Sequence, residues 1–274
     1  MNNHDEYLDF AKDLAEEAGK IMMHYFILEK KGTTYKDDET PVTLADTKIN
    51  SLVISRVREQ YPSHGVLGEE ESFDLDSENL WVVDPIDGTI NFAKQVPLFA
   101  FSLALVSRGE LKVAVVHDPI KNMLLSAAEG QGAYENDKRL KVSTGAKQGL
   151  KLSSWIVGGI ENSIFDNPNT EDKVKEVWRV ARKTQNITTD DFPVAYALAL
   201  VGSGDFDGTV SSIKTPWDVA AGSLIAKEAG AVITDFFGNP VRSWSKDAHG
   251  ILAAPPAVHA YLLKILEPIA KEGR

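Results

Sequence analysis

The chain has no cysteine, so disulfides, zinc–thiolate centres and thiol nucleophiles are excluded at the outset. It also lacks any apolar run long enough to span a bilayer. The segment from Met1 to Asp9 is acidic and polar, without the basic start and apolar stretch of a signal peptide. Basic residues are outnumbered, 29 Lys and Arg against 40 Asp and Glu, for a net charge of −11. The one basic cluster, Lys138, Arg139 and Lys141, does not make the basic face of a nucleic-acid binder. Internal repeats and low-complexity tracts are missing as well. The expectation is a cytoplasmic protein with neither a membrane nor a nucleic-acid partner.

Other familiar devices are absent. The Gly202-x-Gly204 stretch lacks the third glycine of a dinucleotide fingerprint. No Gly-Lys-Ser/Thr phosphate loop exists, which argues against ATP-driven chemistry, and no His-x-x-x-His pair offers a zinc site. What is present is ordinary for a globular chain: 274 residues, 43% hydrophobic and 25% charged, enough for one large domain or two moderate ones sharing a core.

Periodicity sets the element order. Leu8, Ala11, Ala15, Ala18, Met22 and Tyr25 form one apolar stripe and predict a helix. Lys30 to Glu39 reads as a loop, and Thr47 to Gln60 as a second helix. Leu80–Val83 reads as a buried strand ending at an acidic turn, and strands follow at Phe99–Val106, Leu111–His117, Met123–Ala128 and Gly132–Tyr134. The short links between them favour antiparallel neighbours. Beyond Leu150 the pattern alternates: strand Leu152–Val157, helices Thr170–Lys183 and Val194–Val201, strand Gly208–Ser211, helix Pro216–Ala229, strands Ala231–Asp235 and Ile251–Ala254, and a last helix from Pro256 to Ile269. The chain is thus α/β, an N-terminal half over 1–146 and a C-terminal half over 147–274 forming one unit, with the boundary at Thr144–Gly149.

Three acidic clusters sit at the ends of these elements. They are Gly68-Glu69-Glu70-Glu71, Asp84-Pro85-Ile86-Asp87-Gly88-Thr89, and Trp217-Asp218 in a helix's first turn. Each has a plain structural reading: a solvated face, a turn, and an acid favoured by the helix dipole. Their combination says more. Carboxylates repel one another unless a cation lies between them, and oxygen ligands select magnesium, calcium or manganese. A helix starting near Thr89 would add free N–H groups able to hold a phosphate, and Gly88 lets the backbone come close. Metal, carboxylates and an anion-binding helix end are equipment for phosphate hydrolysis.

Trp81 to Phe92, reading WVVDPIDGTINF, closely resembles the first signature of the inositol monophosphatase family. Trp217 to Gly222 with Glu228-Ala229-Gly230 resembles the second, Gly68-Glu69-Glu70 the acidic segment upstream, and Pro41 to Asp46 the still earlier Val-Thr-x-x-Asp region. The resemblance implies a layered α/β sandwich, with an antiparallel sheet in the first half and a mixed sheet in the second. It implies two or three Mg2+ ions held by Glu69, Asp84, the Ile86 carbonyl, Asp87 and Asp218, with Asp84 bridging and the weakest metal near Glu69. Asp46 and Thr89 would orient or deprotonate the attacking water, completing a catalytic set with Glu69. The N–H groups of Gly88 and Thr89 would hold the phosphate. Lithium sensitivity and a homodimer come with the family.

The resemblance narrows the substrate to a small phosphorylated metabolite. Inositol-specific members carry an acidic residue seven positions before the second-signature Asp; here that position is Ser211, which offers no carboxylate. Asp191 precedes the helix that helps build the pocket, and Asp205, Asp207 and Lys214 lie within the same stretch. Inositol 1-phosphate or a similar polyol phosphate ranks first. Histidinol phosphate ranks second, because the Thr40–Asp46 and Gly65–Glu70 segments are similar to those of histidinol-phosphate phosphatases. Fructose 1,6-bisphosphate, NADP and 3′-phosphonucleotides follow, and a non-catalytic metal-binding protein is the reading from another class.

Overall fold

The computed structural model describes residues 3–28, 32–35, 41–142, 150–155, 187–190, 192–211, 215–241 and 250–270. Among these, six helices alternate in layers with two large sheets. Helices α1 (Asn3–Phe26) and α2 (Leu44–Gln60) cover one face of a seven-stranded sheet ordered β3-β4-β5-β6-β7-β8-β9. Its strands are β3 (Gly65–Gly68), β4 (Asn79–Asp87), β5 (Ala100–Ser107), β6 (Glu110–Asp118), β7 (Met123–Ala128), β8 (Gly132–Glu135) and β9 (Lys138–Arg139). Helices α4 (Val194–Ser203) and α5 (Pro216–Glu228) cover the other face.

Those two helices are shared with a five-stranded sheet, β11 (Ile187–Asp190), β10 (Leu150–Trp155), β12 (Gly208–Ser211), β14 (Ile251–Ala254) and β13 (Val232–Thr234), in that order. Helix α6 (Pro256–Ala270) closes its far face through Leu262 and Leu266. A short ribbon, β1 (Thr34–Tyr35) with β2 (Pro41–Val42), and a single-turn helix α3 (Thr89–Ala93) complete the elements.

Alternation along the strands makes the layers. Trp81, Val83, Phe101, Leu103, Leu105, Val113 and Val115 face α1 and α2, while Val82, Ala100, Ala104, Ala114 and Val116 face α4 and α5. The second set is rich in alanine, which lets the central helices approach closely. Gly222 serves the same purpose between helices: a side chain there would run into the Ala195 carbonyl and Leu198 of α4.

The α/β sandwich matches the sequence reading, and β14 falls on the predicted residues. Three details differ. The first sheet is not wholly antiparallel, because β3 joins β4 in parallel at the edge. That strand has only the apolar pair Val66-Leu67 to mark it. The strand predicted to stop at Val83 continues to Asp87, with the ladder to β5 shifting register between Asp84 and Asp87. A bulge at Pro85 absorbs the residue that cannot donate, so pairing resumes instead of ending. The ribbon β1–β2 and strands β9 and β11 lie where no strand was read. The predicted helix Thr170–Lys183, the Thr144–Gly149 boundary and Asp191 lie outside the described residues.

Candidate active site

The bulge in β4 is what makes a site. Side chains three apart on a regular strand point to opposite faces. Asp84 pairs with Ser102 and Asp87 with Ala100, so three steps on β4 match two on β5. The extra residue reverses the parity and puts both carboxylates on one side. Asp218, in the first turn of α5, reaches the same place: oxygens of Asp84, Asp87 and Asp218 all lie within 4.8 Å of one another. Pro216 begins that helix, and Thr215 before it is the N-cap. Asp84 and Asp87 are 2% and 3% exposed.

Glu69 lies outside that trio but beside it. It follows β3, whose Gly68 pairs with Val83, and its N–H donates to the Val83 carbonyl at 3.2 Å. Its charge is the strongest acidic influence on Asp84. A side chain at Gly68 would collide with Asn50 and the Glu71 carbonyl, and Asn50 Nδ2 donates to that carbonyl at 2.9 Å. The acidic loop is thereby held against α2.

Helix α2 brings a fifth carboxylate. Asp46 is fully buried; its Oδ2 accepts the Thr43 N–H at 2.8 Å and the Thr43 hydroxyl, in the manner of a helix cap. Its Oδ1 is 3.2 Å from Thr89 Oγ1, which is also 3.0 Å from the Ile86 carbonyl. The single hydroxyl proton of Thr89 can go to either acceptor. Gly88 is the left-handed N-cap of α3 at φ +96, a conformation that glycine adopts without strain. A Cβ there would approach Pro193 Cγ to 2.7 Å. The first N–H groups of α3 have no acceptor within the helix, and the helix starts directly after Asp87 and Gly88.

Crowding raises the proton affinity of the site. Burial pushes Asp84 well above the usual carboxylate range, followed by the charges of Glu69, Asp87, Asp218 and Asp46. Burial likewise pushes Asp87 up to about 7, against the lowering effect of backbone N–H donors. Asp46 is raised to about 7, again chiefly by burial. Among the described residues no lysine or arginine pairs with Asp84 or Asp87. Buried carboxylates such as Asp84 and Asp87, with no lysine or arginine paired to them among the described residues, fit a hard divalent ion such as Mg2+.

Ser211 is fully buried at the end of β12, seven residues before Asp218. Asp207 sits at the opposite end of that strand, where its Oδ2 accepts the Lys151 N–H at 2.9 Å, and exposed Asp205 takes the Ser203 hydroxyl at 2.6 Å. Lys214 lies outside the described residues. Two partners escaped the sequence reading. Thr43 was legible as a cap three residues before Asp46. The start of α4 was not: Val194 N–H donates to Asp87 Oδ1 at 3.1 Å and Tyr196 N–H to Oδ2 at 2.8 Å, across more than 100 residues. The helix was read from Val194, but nothing in the sequence marked Asp87 as the acceptor of its first N–H groups.

Comparison with known proteins agrees with this geometry. A family model described as the inositol monophosphatase family matches residues 3–271. A Thermotoga maritima protein named fructose-1,6-bisphosphatase/inositol-1-monophosphatase is 34% identical over 269 residues, covering 97% of each chain. The Escherichia coli K12 protein named Nus factor SuhB is 34% identical over 235 residues, 84% of this chain and 85% of that one. The solved structure of an inositol monophosphatase from Anabaena superposes with a TM-score of 0.80 at 29% identity, covering 97% of both chains.

Proposed function

Since the chain belongs to the inositol monophosphatase family and is a phosphatase, we propose that it hydrolyses a small soluble phosphate monoester at the Asp84–Asp87–Asp218 centre. The observation that carries this reading is the meeting of those three carboxylates, from β4 and α5, within 4.8 Å. The family is magnesium-dependent in general. In this chain Glu69, Asp84, the Ile86 carbonyl, Asp87 and Asp218 would hold two or three Mg2+ ions. Bound there, Mg2+ would lower the pKa of water and neutralise charge on the phosphate and the leaving alkoxide.

The chain's own residues do the rest. The N–H groups of Gly88 and Thr89, at the head of α3, receive phosphate oxygens. Thr89 Oγ1 orients the attacking water. It accepts the water's proton while passing its own to Asp46 Oδ1, 3.2 Å away. Asp46, whose proton affinity is raised chiefly by burial, is the proton acceptor within reach of Thr89. Attack in line with the scissile P–O bond then releases inorganic phosphate and the alkoxide, which takes a proton from solvent to leave as the alcohol, without a covalent intermediate.

A polyol phosphate such as inositol 1-phosphate leads, with histidinol phosphate as the alternative. The double name of the Thermotoga maritima relative keeps fructose 1,6-bisphosphate in the panel. Ser211 and Asp191 are the residues assigned to the alcohol side. A cytoplasmic homodimer belongs to the same proposal. The test is phosphate release from inositol 1-phosphate, histidinol phosphate, fructose 1,6-bisphosphate, NADP and adenosine 3′,5′-bisphosphate, with and without Mg2+ and with lithium. Mg2+-dependent, lithium-inhibited release from one of them supports the reading. Release from none would favour a regulatory protein on the same fold, a reading motivated by the Nus factor name of the Escherichia coli relative.

A further inference from the structure

Tyr196 is tied down at both its main chain and its side chain. Its N–H donates to Asp87 Oδ2 at 2.8 Å. Its fully buried ring ends in a hydroxyl that donates to Asp118 Oδ2 at 2.6 Å and accepts from Lys121 Nζ at 2.8 Å. Asp118, itself buried, spends its other oxygen on the N–H groups of Ile120 and Lys121, at 2.8 and 3.0 Å. Lys121 Nζ lies 3.5 Å from Asp118 Oδ2 and 5.1 Å from the Tyr196 ring centre. The turn after β6 therefore clamps the first turn of α4 through a closed charge-assisted network.

We propose that Tyr196 is a positioning residue for Asp87, with Asp118 and Lys121 as the clamp that sets the height and rotation of α4. The inference rests on the reading of Asp87 as a metal ligand. Helix α4 is hydrogen-bonded from its start, Ala197 N–H donating to the Pro193 carbonyl at 2.9 Å. Fixing the phenol thus fixes the N–H groups of Val194 and Tyr196 together. Each Asp87 oxygen receives one of them, so the carboxylate is locked in two places and cannot rotate away from Asp84 and Asp218. Freed of the clamp, α4 could slide by fractions of an ångström, and Asp87 would follow it. Partners that orient a ligand in this way typically change metal affinity ten- to a hundredfold when removed.

The test is calorimetric titration of the EDTA-stripped, full-length protein with Mg2+, run alongside circular dichroism and phosphate release. Tyr196→Phe keeps the ring and removes the hydroxyl. It should weaken Mg2+ binding by about tenfold, and the Mg2+ concentration that gives half-maximal release should rise in parallel. Lys121→Met, at a half-exposed side chain, should weaken it in the same direction by about threefold and carries the test should Tyr196→Phe not fold. A folded Tyr196→Phe, or failing that Lys121→Met, with wild-type Mg2+ affinity and only a lower melting temperature would reduce the clamp to a structural role and overturn the proposal. Absence of Mg2+ binding in the wild type would instead overturn the metal-site reading, and the inference with it.

Discussion

Magnesium affinity should depend steeply on pH, because the carboxylates that would receive the ion hold protons where ordinary ones do not. Burial and neighbouring charge raise Asp87 to about 7 and Asp84 well above the usual range. A proton and a cation compete for the same oxygens, so the ion must displace whatever proton is there. A group at about 7 is roughly one-tenth ionised at about pH 6 and nine-tenths ionised at about pH 8. Asp87 alone therefore makes apparent Mg2+ affinity about tenfold weaker at the lower pH, and Asp84 adds to the effect in the same direction. Calorimetry at both pH values measures the ratio. Repeating the titration near pH 6.5 in two buffers of different ionisation enthalpy counts the protons released, and at least about one per site is expected. Equal affinity at both pH values, with no proton released, would refute the electrostatic account of the site.

Three further outcomes follow from the same arrangement of residues. Asp46 is raised from 3.8 to about 7, so its contribution to stability is complete below about pH 4 and is lost as pH rises through its folded value. Asp46→Asn has no such loss; in EDTA its stability relative to wild type should climb by up to about 1.4 kcal/mol per pH unit between those limits and then level off. A melting-temperature difference that does not change with pH would contradict this, and phosphate release should be lost. Gly88→Ala forces a side chain into a left-handed position at φ +96 with Pro193 in the way, which should cost about 1–3 kcal/mol in chemical denaturation and abolish turnover. Leu103→Ala, between β4 and β6 under α1 and α2, should cost about 2–5 kcal/mol and leave Mg2+ affinity unchanged, a control separating core stability from site geometry.

The local elements were legible because their causes are local. The apolar stripe of α1 buries Ala11, Ala15, Ala18 and Met22, and Pro216 and Gly230 bracket α5 with its cap. Strands β5 to β8 alternate their faces and are joined by turns with residues suited to positive φ, such as Gly109 and Gly130. Strand β3 was harder to read, since four residues paired in parallel with β4, with a single bridge from Val66 to Phe73, carry almost no pattern of their own. The end of β4 was misread because Pro85 signals a stop in sequence, whereas in the sheet it marks a bulge.

The acidic motifs could be found in the chain because residue type and position nominate the three clusters, and the resemblance to the family singles out the ligands within them. That Asp84 and Asp87 share a side depends on the register of β5, which no stretch of β4 encodes by itself. That Asp87 is gripped by Val194 and Tyr196, and Tyr196 by Asp118 and Lys121, depends on packing α4 against the sheet. Hydrogen-bond partners distant in sequence are chosen by the distances left when layers close, and those distances exist only in the folded molecule.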